Sequence, residues 1–133
     1  MTAFKQYAGE HFGSFHALNS PPHITLKPPF RWEKEREGEL KEALQRFNES
    51  WEAFELWLDG FDRFDERVIF VDVEPSQDLH MRQEELLAYL DEELDLQSKD
   101  RRPYHPHITV AFRDLSPEMF RRAWPYFQKQ TYR

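Results

Sequence analysis

One tetrapeptide occurs twice in this chain. Pro22-His23-Ile24-Thr25 and Pro106-His107-Ile108-Thr109 contain the same four residues, and their histidines are 84 positions apart. Each copy is followed by an aliphatic residue, Leu26 or Val110, which gives both segments the polar–apolar alternation of a half-buried strand. Because residues i and i+2 of a strand point to the same face, each histidine shares a face with its threonine. The repeat therefore predicts two strands that each present one imidazole and one hydroxyl.

Two such strands side by side would surround one cleft with groups that suit a phosphodiester. Of His23 and His107, one imidazole can accept a proton from water or a ribose hydroxyl while the other donates a proton to the leaving oxygen. The hydroxyls of Thr25 and Thr109 can donate hydrogen bonds to phosphate oxygens. A single histidine on a strand is more often a packing or surface residue, but two histidines in the same four-residue context favour a catalytic role. One histidine per strand is a weak metal pattern, so we expect no metal.

The rest of the chain alternates helical and strand patterns. Helices are predicted over residues 3–12 and 33–50, after the cap Ser76, and after Ser116, with Pro125 expected to kink or shorten the last one. Strands are predicted over residues 23–27, 54–59, 68–73 and 107–112, with a loop through Phe61 and Phe64. This order predicts a single α+β domain over residues 1–133, with helices packed on a sheet.

Composition restricts the classes of function. The chain has no cysteine, which excludes disulfides and thiolate metal sites, and only four glycines with no phosphate-binding loop, which argues against ATP-driven chemistry. A net charge of −7 argues against a duplex-binding face but allows small phosphate substrates. No segment approaches the ~20 apolar residues of a membrane span, and residues 1–12 lack a secretory signal. We therefore expect a cytoplasmic protein with no membrane partner.

The two His-x-Thr-x segments resemble the signature of the 2H phosphoesterase superfamily, which includes 2′-5′ RNA ligases and RNA 2′,3′-cyclic phosphodiesterases. Residues 54–73 are similar to the family's central hairpin, and residues 5–128 follow its order of elements. The resemblance implies a bilobal fold, with two pseudo-symmetric sheet lobes, helices outside and a central cleft. It also implies hydrolysis of 2′,3′-cyclic phosphate or 2′-5′ linked RNA or nucleotide ends without metal or cofactor, and reversible 2′-5′ ligation in some members.

The resemblance also implies which residues act. By their positions in the two motifs, His23, Thr25, His107 and Thr109 correspond to the residues that catalyse the reaction and hold the phosphate. Of the histidines, His107 is favoured as base and His23 as acid.

Residues just after the first motif are candidates for substrate binding. Lys27 continues the face of His23 and could approach a phosphate, although a solvated strand end is an equal alternative. Phe30 and Trp32 lie where a base could stack on an aromatic ring, with core packing as the alternative.

The second motif also has candidate neighbours. Arg101, Arg102 and Tyr104 form a basic spot that either holds RNA phosphates at the cleft rim or is an ordinary loop. Arg113 follows the motif, but on an unbroken strand it would lie on the face opposite to His107. His105 is expected outside the cleft.

Two questions stay open at this level. The family usually has a strand before the first helix and strands after the last, so either terminal strands are missing or a second copy pairs with the exposed sheet edges as a homodimer. The alternative to an enzyme is a non-catalytic module of the same fold that binds nucleotides or RNA ends, and a weaker third option is an assembly subunit. The exact substrate and the choice between hydrolase and ligase are not fixed by the sequence.

Overall fold

The computed structural model describes residues 1–97 and 102–130. The helices are α1 (Thr2–Phe12), α2 (Glu37–Asn48), α3 (Gln77–Leu94) and α4 (Pro117–Gln128), with short 3-10 turns at His16–Asn19 and Lys34–Arg36. The strands are β1 (Leu58–Phe64), β2 (Val68–Val73) and β3 (His107–Ala111). The predicted α+β class is confirmed. None of the helices among the described residues is long and apolar enough to span a membrane.

The chain forms two compact units. The first contains Met1–Thr25, Trp57–Pro75 and Pro106–Arg133, and the second contains Leu26–Leu56 and Ser76–His105. The sheet, α1 and α4 belong to the first unit, whereas α2 and α3 belong to the second. Within its described residues the second unit has no strand, so the second sheet lobe that the resemblance implies is not seen there.

The first unit is built on a three-stranded antiparallel sheet in the order β1-β2-β3. Alternate side chains of β2 and β3 are buried in one apolar cluster together with residues of α1 and α4; from the strands these are Ile69, Val71, Ile108 and Val110. Cross-strand partners share a face, so Phe70 opposite Thr109 and Asp72 opposite His107 lie on the other face of the sheet. Helices α1 and α4 therefore pack on one face, and the histidine of the second motif lies on the opposite face.

The second unit has its own core. Ala43 of α2 packs with Leu86, Leu90 and Leu94 of α3, which follow the helical spacing of the sequence. The cap of α3 is also as predicted, since Ser76 Oγ accepts a hydrogen bond from the Leu79 backbone N–H at 3.2 Å.

The prediction of a strand over 54–59 and a loop through Phe61 and Phe64 is wrong, because β1 runs over Leu58–Phe64. Gly60 adopts a φ of 67°, and the register shifts between Leu58 and Phe61. The glycine therefore makes a bulge within the strand rather than an end to it.

Residues 23–27, predicted as a strand, have no assigned strand in the structure. Prolines precede and follow this segment, and they lack the backbone N–H that a strand ladder requires. The predicted alternation is nevertheless present, since Ile24 packs against the core of the first unit while His23 and Thr25 are exposed.

The predicted effect of Pro125 on the last helix is also wrong in part, because α4 continues to Gln128. Its start is as expected, with Ser116 Oγ accepting from the Met119 N–H at 3.2 Å. Phe127 is completely buried two residues after the proline, and we attribute the persistence of the last turn to this packing.

A buried lysine holds the segment that leads to the first motif. Lys5 of α1 is 2% exposed, and its ammonium donates hydrogen bonds to the carbonyls of Ala17 at 2.8 Å and Ser20 at 2.9 Å. Burial lowers the pKa of Lys5. Since Ser20 is three residues before His23, the hydrogen bond from Lys5 to Ser20 holds the backbone just before the first histidine.

A carboxylate holds the start of the same segment. Asp114 accepts hydrogen bonds from the Phe15 N–H at 2.7 Å, the Ser14 hydroxyl at 3.0 Å and the His16 N–H at 3.1 Å. Burial alone would raise the pKa of Asp114, but these hydrogen bonds outweigh it, and the pKa lies below its ordinary value. The end of β3 and the start of the segment are thereby tied together.

Asp114→Asn should therefore destabilise the protein in a pH-dependent way. A carboxyl group with a depressed folded-state pKa contributes stability that is fully present above its unfolded value of about 4 and is lost as pH falls through the folded value. We expect the free energy of unfolding to drop by about 1 kcal/mol at pH 7, and by less at pH 3, in urea titrations. Asp91→Asn on α3 is the control, with a change below about 0.5 kcal/mol at pH 7. An equal loss from Asp114→Asn at both pH values would contradict the role of the charge.

Candidate active site

The second motif lies on the sheet as its sequence predicts. His107 and Thr109 are in β3 and share a face, while Ile108 and Val110 between and after them are buried in the core. Both polar side chains are half-buried. The strand therefore presents one imidazole and one hydroxyl side by side on the face opposite to α1 and α4.

Two phenylalanines enclose the imidazole of His107. Its ring centroid lies 4.9 Å from that of Phe64, at an interplanar angle of 89°, and 5.1 Å from that of Phe70. The two phenyl rings are 4.3 Å apart, and Phe70 is 0% exposed. Contacts with two packed rings restrict the rotation of the imidazole and keep water from part of its surface.

An acidic residue lies directly across the ladder from His107. Asp72 of β2 is its cross-strand partner and is half-buried. Asp72 Oδ1 accepts a hydrogen bond from the Val73 N–H at 3.0 Å, which fixes the carboxylate against its own strand.

The first motif presents its histidine differently. His23 is exposed, and its Nδ1 lies 2.9 Å from the Pro21 carbonyl oxygen. A carbonyl can only accept, so Nδ1 carries the hydrogen and Nε2 is the nitrogen that can exchange a proton with a substrate. His23 and Thr25 belong to the same compact unit as His107 and Thr109. The convergence of the two imidazoles on one phosphate stays a prediction.

The candidates that follow the first motif belong to the second unit. Lys27 is half-buried, with Nζ 5.3 Å from the ring centroid of Phe30, which is 42% exposed. Trp32 packs against the core of that unit and donates from Nε1 to the Arg36 carbonyl at 2.8 Å. Core packing thus accounts for Trp32, whereas Phe30 presents much of its ring to solvent.

Three further candidates precede the second motif in the sequence. Arg101 lies outside the described residues, Arg102 is exposed, and Tyr104 is half-buried with its ring 5.4 Å from that of His80. Burial raises the pKa of Tyr104 to about 12, so its hydroxyl is neutral at physiological pH and can donate a hydrogen bond.

Arg113 is not on a continuous strand, contrary to the assumption behind its predicted face. β3 ends at Ala111, and Arg113 has a φ of 55° in the left-handed region. Its guanidinium lies 5.7 Å from the ring centroid of Phe112. The alternation of an unbroken strand therefore does not decide where this side chain points, and substrate binding by Arg113 stays a prediction.

Comparison with known proteins decides the family. The profile of the 2'-5' RNA ligase superfamily matches residues 2–133. The chain belongs to this superfamily. Two curated proteins that bear the name "Putative phosphoesterase" are similar to it. The one from Geobacillus sp. (strain WCH70) is 31% identical over 106 residues, which cover 78% of this chain and 57% of that protein. The one from Oceanobacillus iheyensis is 30% identical over 102 residues, 75% of this chain and 56% of that protein.

This superfamily member thus spans somewhat over half the length of those two relatives. Its resemblance to 2H phosphoesterases, inferred from the repeated tetrapeptide, is confirmed by the match. Within residues 1–97 and 102–130, no three histidine, aspartate or glutamate side chains are grouped closely enough to hold a metal ion.

Sequence reasoning missed the immediate surroundings of His107 in this superfamily member. Phe64, Phe70 and Asp72 come next to the imidazole only through strand pairing and ring packing. The one available signal was the alternation in Val68–Val73, which places Phe70 and Asp72 on the face opposite to Ile69 and Val71.

Proposed function

We propose that this chain is a metal-independent phosphodiesterase that hydrolyses 2′,3′-cyclic phosphate or 2′-5′ linked ends of RNA or nucleotides. The observation that carries the proposal is that His107 and Thr109 lie on one face of β3 and are both half-buried, within a chain of the 2'-5' RNA ligase superfamily. Reversible 2′-5′ ligation is also part of the proposal: there a 5′-hydroxyl takes the place of water, its oxygen bonds to the phosphorus of the cyclic phosphate, and the bond from phosphorus to the 3′-oxygen breaks.

The proposed reaction needs two proton transfers at one phosphorus. A water oxygen bonds to phosphorus as the bond from phosphorus to one ribose oxygen breaks. His107 takes a proton from the water, and protonated His23 gives a proton to the departing ribose oxygen through Nε2. Exchange with solvent then restores both protonation states. The product is a nucleoside or RNA end with a phosphomonoester and a free hydroxyl.

Two threonine hydroxyl groups would hold the phosphate during the two proton transfers. Thr25 and Thr109 can each donate a hydrogen bond to a non-bridging oxygen, where charge builds in the transition state. Lys27, Arg102 and Arg113 follow or precede the motifs in the sequence, and with Arg101 they are proposed to attract the anionic substrate. Phe30 is proposed as a stacking surface for a base.

The larger architecture is also part of the proposal. The two-lobed, pseudo-symmetric fold with a central cleft would bring the first motif to the second. Pairing of exposed sheet edges between two copies would give a homodimer.

A substrate panel with and without chelator tests the proposed function. We expect 2′,3′-cyclic AMP and 2′,3′-cyclic CMP to be opened to monophosphates in a chromatographic assay, at a rate that EDTA does not change. A 2′-5′ linked dinucleotide and an RNA with a 2′,3′-cyclic phosphate end extend the panel, and 3′,5′-cyclic AMP is the matched comparison. A metal requirement, or no product from any 2′,3′-cyclic or 2′-5′ substrate, would contradict the proposal. Nucleotide binding without product would support the non-catalytic module instead.

A further inference from the structure

We propose that Asp72 is a positioning residue for His107, whose carboxylate orients the imidazole and stabilises its protonated form. The catalytic part of this inference rests on the proposed function. The electrostatic interaction between the Asp72 carboxylate and the His107 imidazole does not depend on the proposed function, because it can be measured in the protein without substrate.

Strand register places the two side chains together. Asp72 and His107 are direct partners in the antiparallel β2–β3 ladder and share the face opposite to α1 and α4. The Cβ atoms of such partners are about 4.5–5.5 Å apart, within reach of a carboxylate and an imidazole. A one-residue shift in register would send one of the two into the core, so the pairing is specific to this alignment.

The carboxylate is held in a defined orientation. One oxygen accepts from the Val73 N–H at 3.0 Å, which holds the carboxylate against its own strand. The imidazole is held as well, by the rings of Phe64 and Phe70. Because both partners are half-buried, their electrostatic interaction is screened less than at an exposed surface.

Other titratable groups on or beside the strands occupy other positions in the register. Asp62 of β1 shares the face but pairs with Phe70, so one strand separates it from β3. Asp59 lies at the bulge of β1, and His105 is two residues before His107. Asp62 is a matched control, because its Oδ1 also accepts from the next backbone N–H, that of Arg63 at 2.8 Å.

Asp72 would act at one step of the reaction. When His107 takes the proton from the attacking water, a positive charge forms on the imidazole opposite the carboxylate. The negative charge stabilises that imidazolium and keeps the ring in the orientation that faces the substrate, as in a Ser-His-Asp triad. An asparagine in the same place keeps the shape and removes the charge.

The test is a nuclear magnetic resonance titration of the His107 ring in the full chain without substrate. We expect Asp72→Asn to lower the titration midpoint by about 0.5–1 pH unit, because a nearby opposite charge favours the protonated ring. Asp62→Asn should move it by clearly less, and Asp72→Glu, which retains the charge, should keep the midpoint near that of the wild type. With 2′,3′-cyclic CMP as probe, Asp72→Asn should reduce kcat by at least about tenfold with little change in KM.

The outcomes separate the two proposals. An unchanged His107 midpoint in Asp72→Asn, or an equal shift in Asp62→Asn, would overturn the role of Asp72 whatever the activity. If the wild-type chain shows no turnover while Asp72→Asn still lowers the midpoint, the pairing stands and the proposed function fails. Should Asp72→Asn fail to fold, Asp72→Ser takes its place in the same titration, with the same shift expected.

Discussion

Replacing His107 with alanine should nearly abolish hydrolysis of 2′,3′-cyclic nucleotides while the protein stays folded. The same is expected of His23→Ala, because each imidazole carries one of the two proton transfers. General acid or base catalysis contributes typically 10²–10⁴-fold, so kcat should fall by about that factor in each variant. The double variant should lose little more than the more damaging single change, because residues that act as a unit are not additive. The measurement is steady-state turnover of 2′,3′-cyclic CMP, with circular dichroism to verify folding.

His105→Ala is the matched control for this prediction. His105 is an exposed histidine two residues before His107 and lies outside β3. We expect its replacement to change kcat by less than about twofold, since most surface substitutions have small effects. Equal losses in His105→Ala and His107→Ala would indicate damage to the segment rather than loss of a proton acceptor. Normal turnover in the His23, His107 double variant would contradict the proposed mechanism outright.

Replacing Phe127 with alanine should cause the largest loss of stability. Phe127 is 0% exposed in the core of the first unit, and its ring centroid lies 5.5 Å from that of Phe61, 6.1 Å from that of Phe12 and 6.4 Å from that of Phe4. Its truncation removes apolar contacts from α1, α4 and β1 at once and leaves a cavity. We expect the free energy of unfolding to fall by about 3–5 kcal/mol, measured by urea denaturation.

Trp57→Ala is the control for the cavity prediction. Trp57 is the first residue of a segment of the same unit, and it is 64% exposed. Its replacement removes a larger side chain than that of Phe127 but leaves little buried space, so we expect a change below about 0.5 kcal/mol. A loss from Phe127→Ala no larger than that from Trp57→Ala would contradict the packing of α4 on the sheet.

Much of the fold followed from local signals in the sequence. The alternation and β-branched residues of Val68–Val73 predict β2, and Ser76 and Ser116 mark the starts of α3 and α4 because their hydroxyls cap them. The errors arose where tertiary structure decides. Gly60 is expected to end a strand, but it makes a bulge within β1. Pro125 is expected to kink or shorten the last helix, but α4 continues through the turn that the packing of Phe127 stabilises.

The sequence predicts which face of β3 carries the candidate catalytic residues, but not which residues of the neighbouring strand lie beside them. A period of two places His107 and Thr109 on one face, and the structure has them there. The neighbours of the imidazole depend on how β3 aligns with β2, and that alignment contains a shift: Ile69 pairs with Ala111 while Phe70 pairs with Thr109. No local pattern gives the position of such a bulge, so the place of Asp72 opposite the histidine could not be inferred from the sequence.

The most direct measurement is a pair of crystal structures of the chain soaked with 2′-CMP and with 3′-CMP, the two monophosphates that opening of 2′,3′-cyclic CMP can give. We expect one phosphate group with His23 Nε2 and a ring nitrogen of His107 both within hydrogen-bonding distance of its oxygens, at roughly 2.7–3.2 Å. A phosphate that contacts only one of these rings, or imidazoles too far apart to reach the same phosphate, would contradict the claim that the two motifs act on a single phosphodiester.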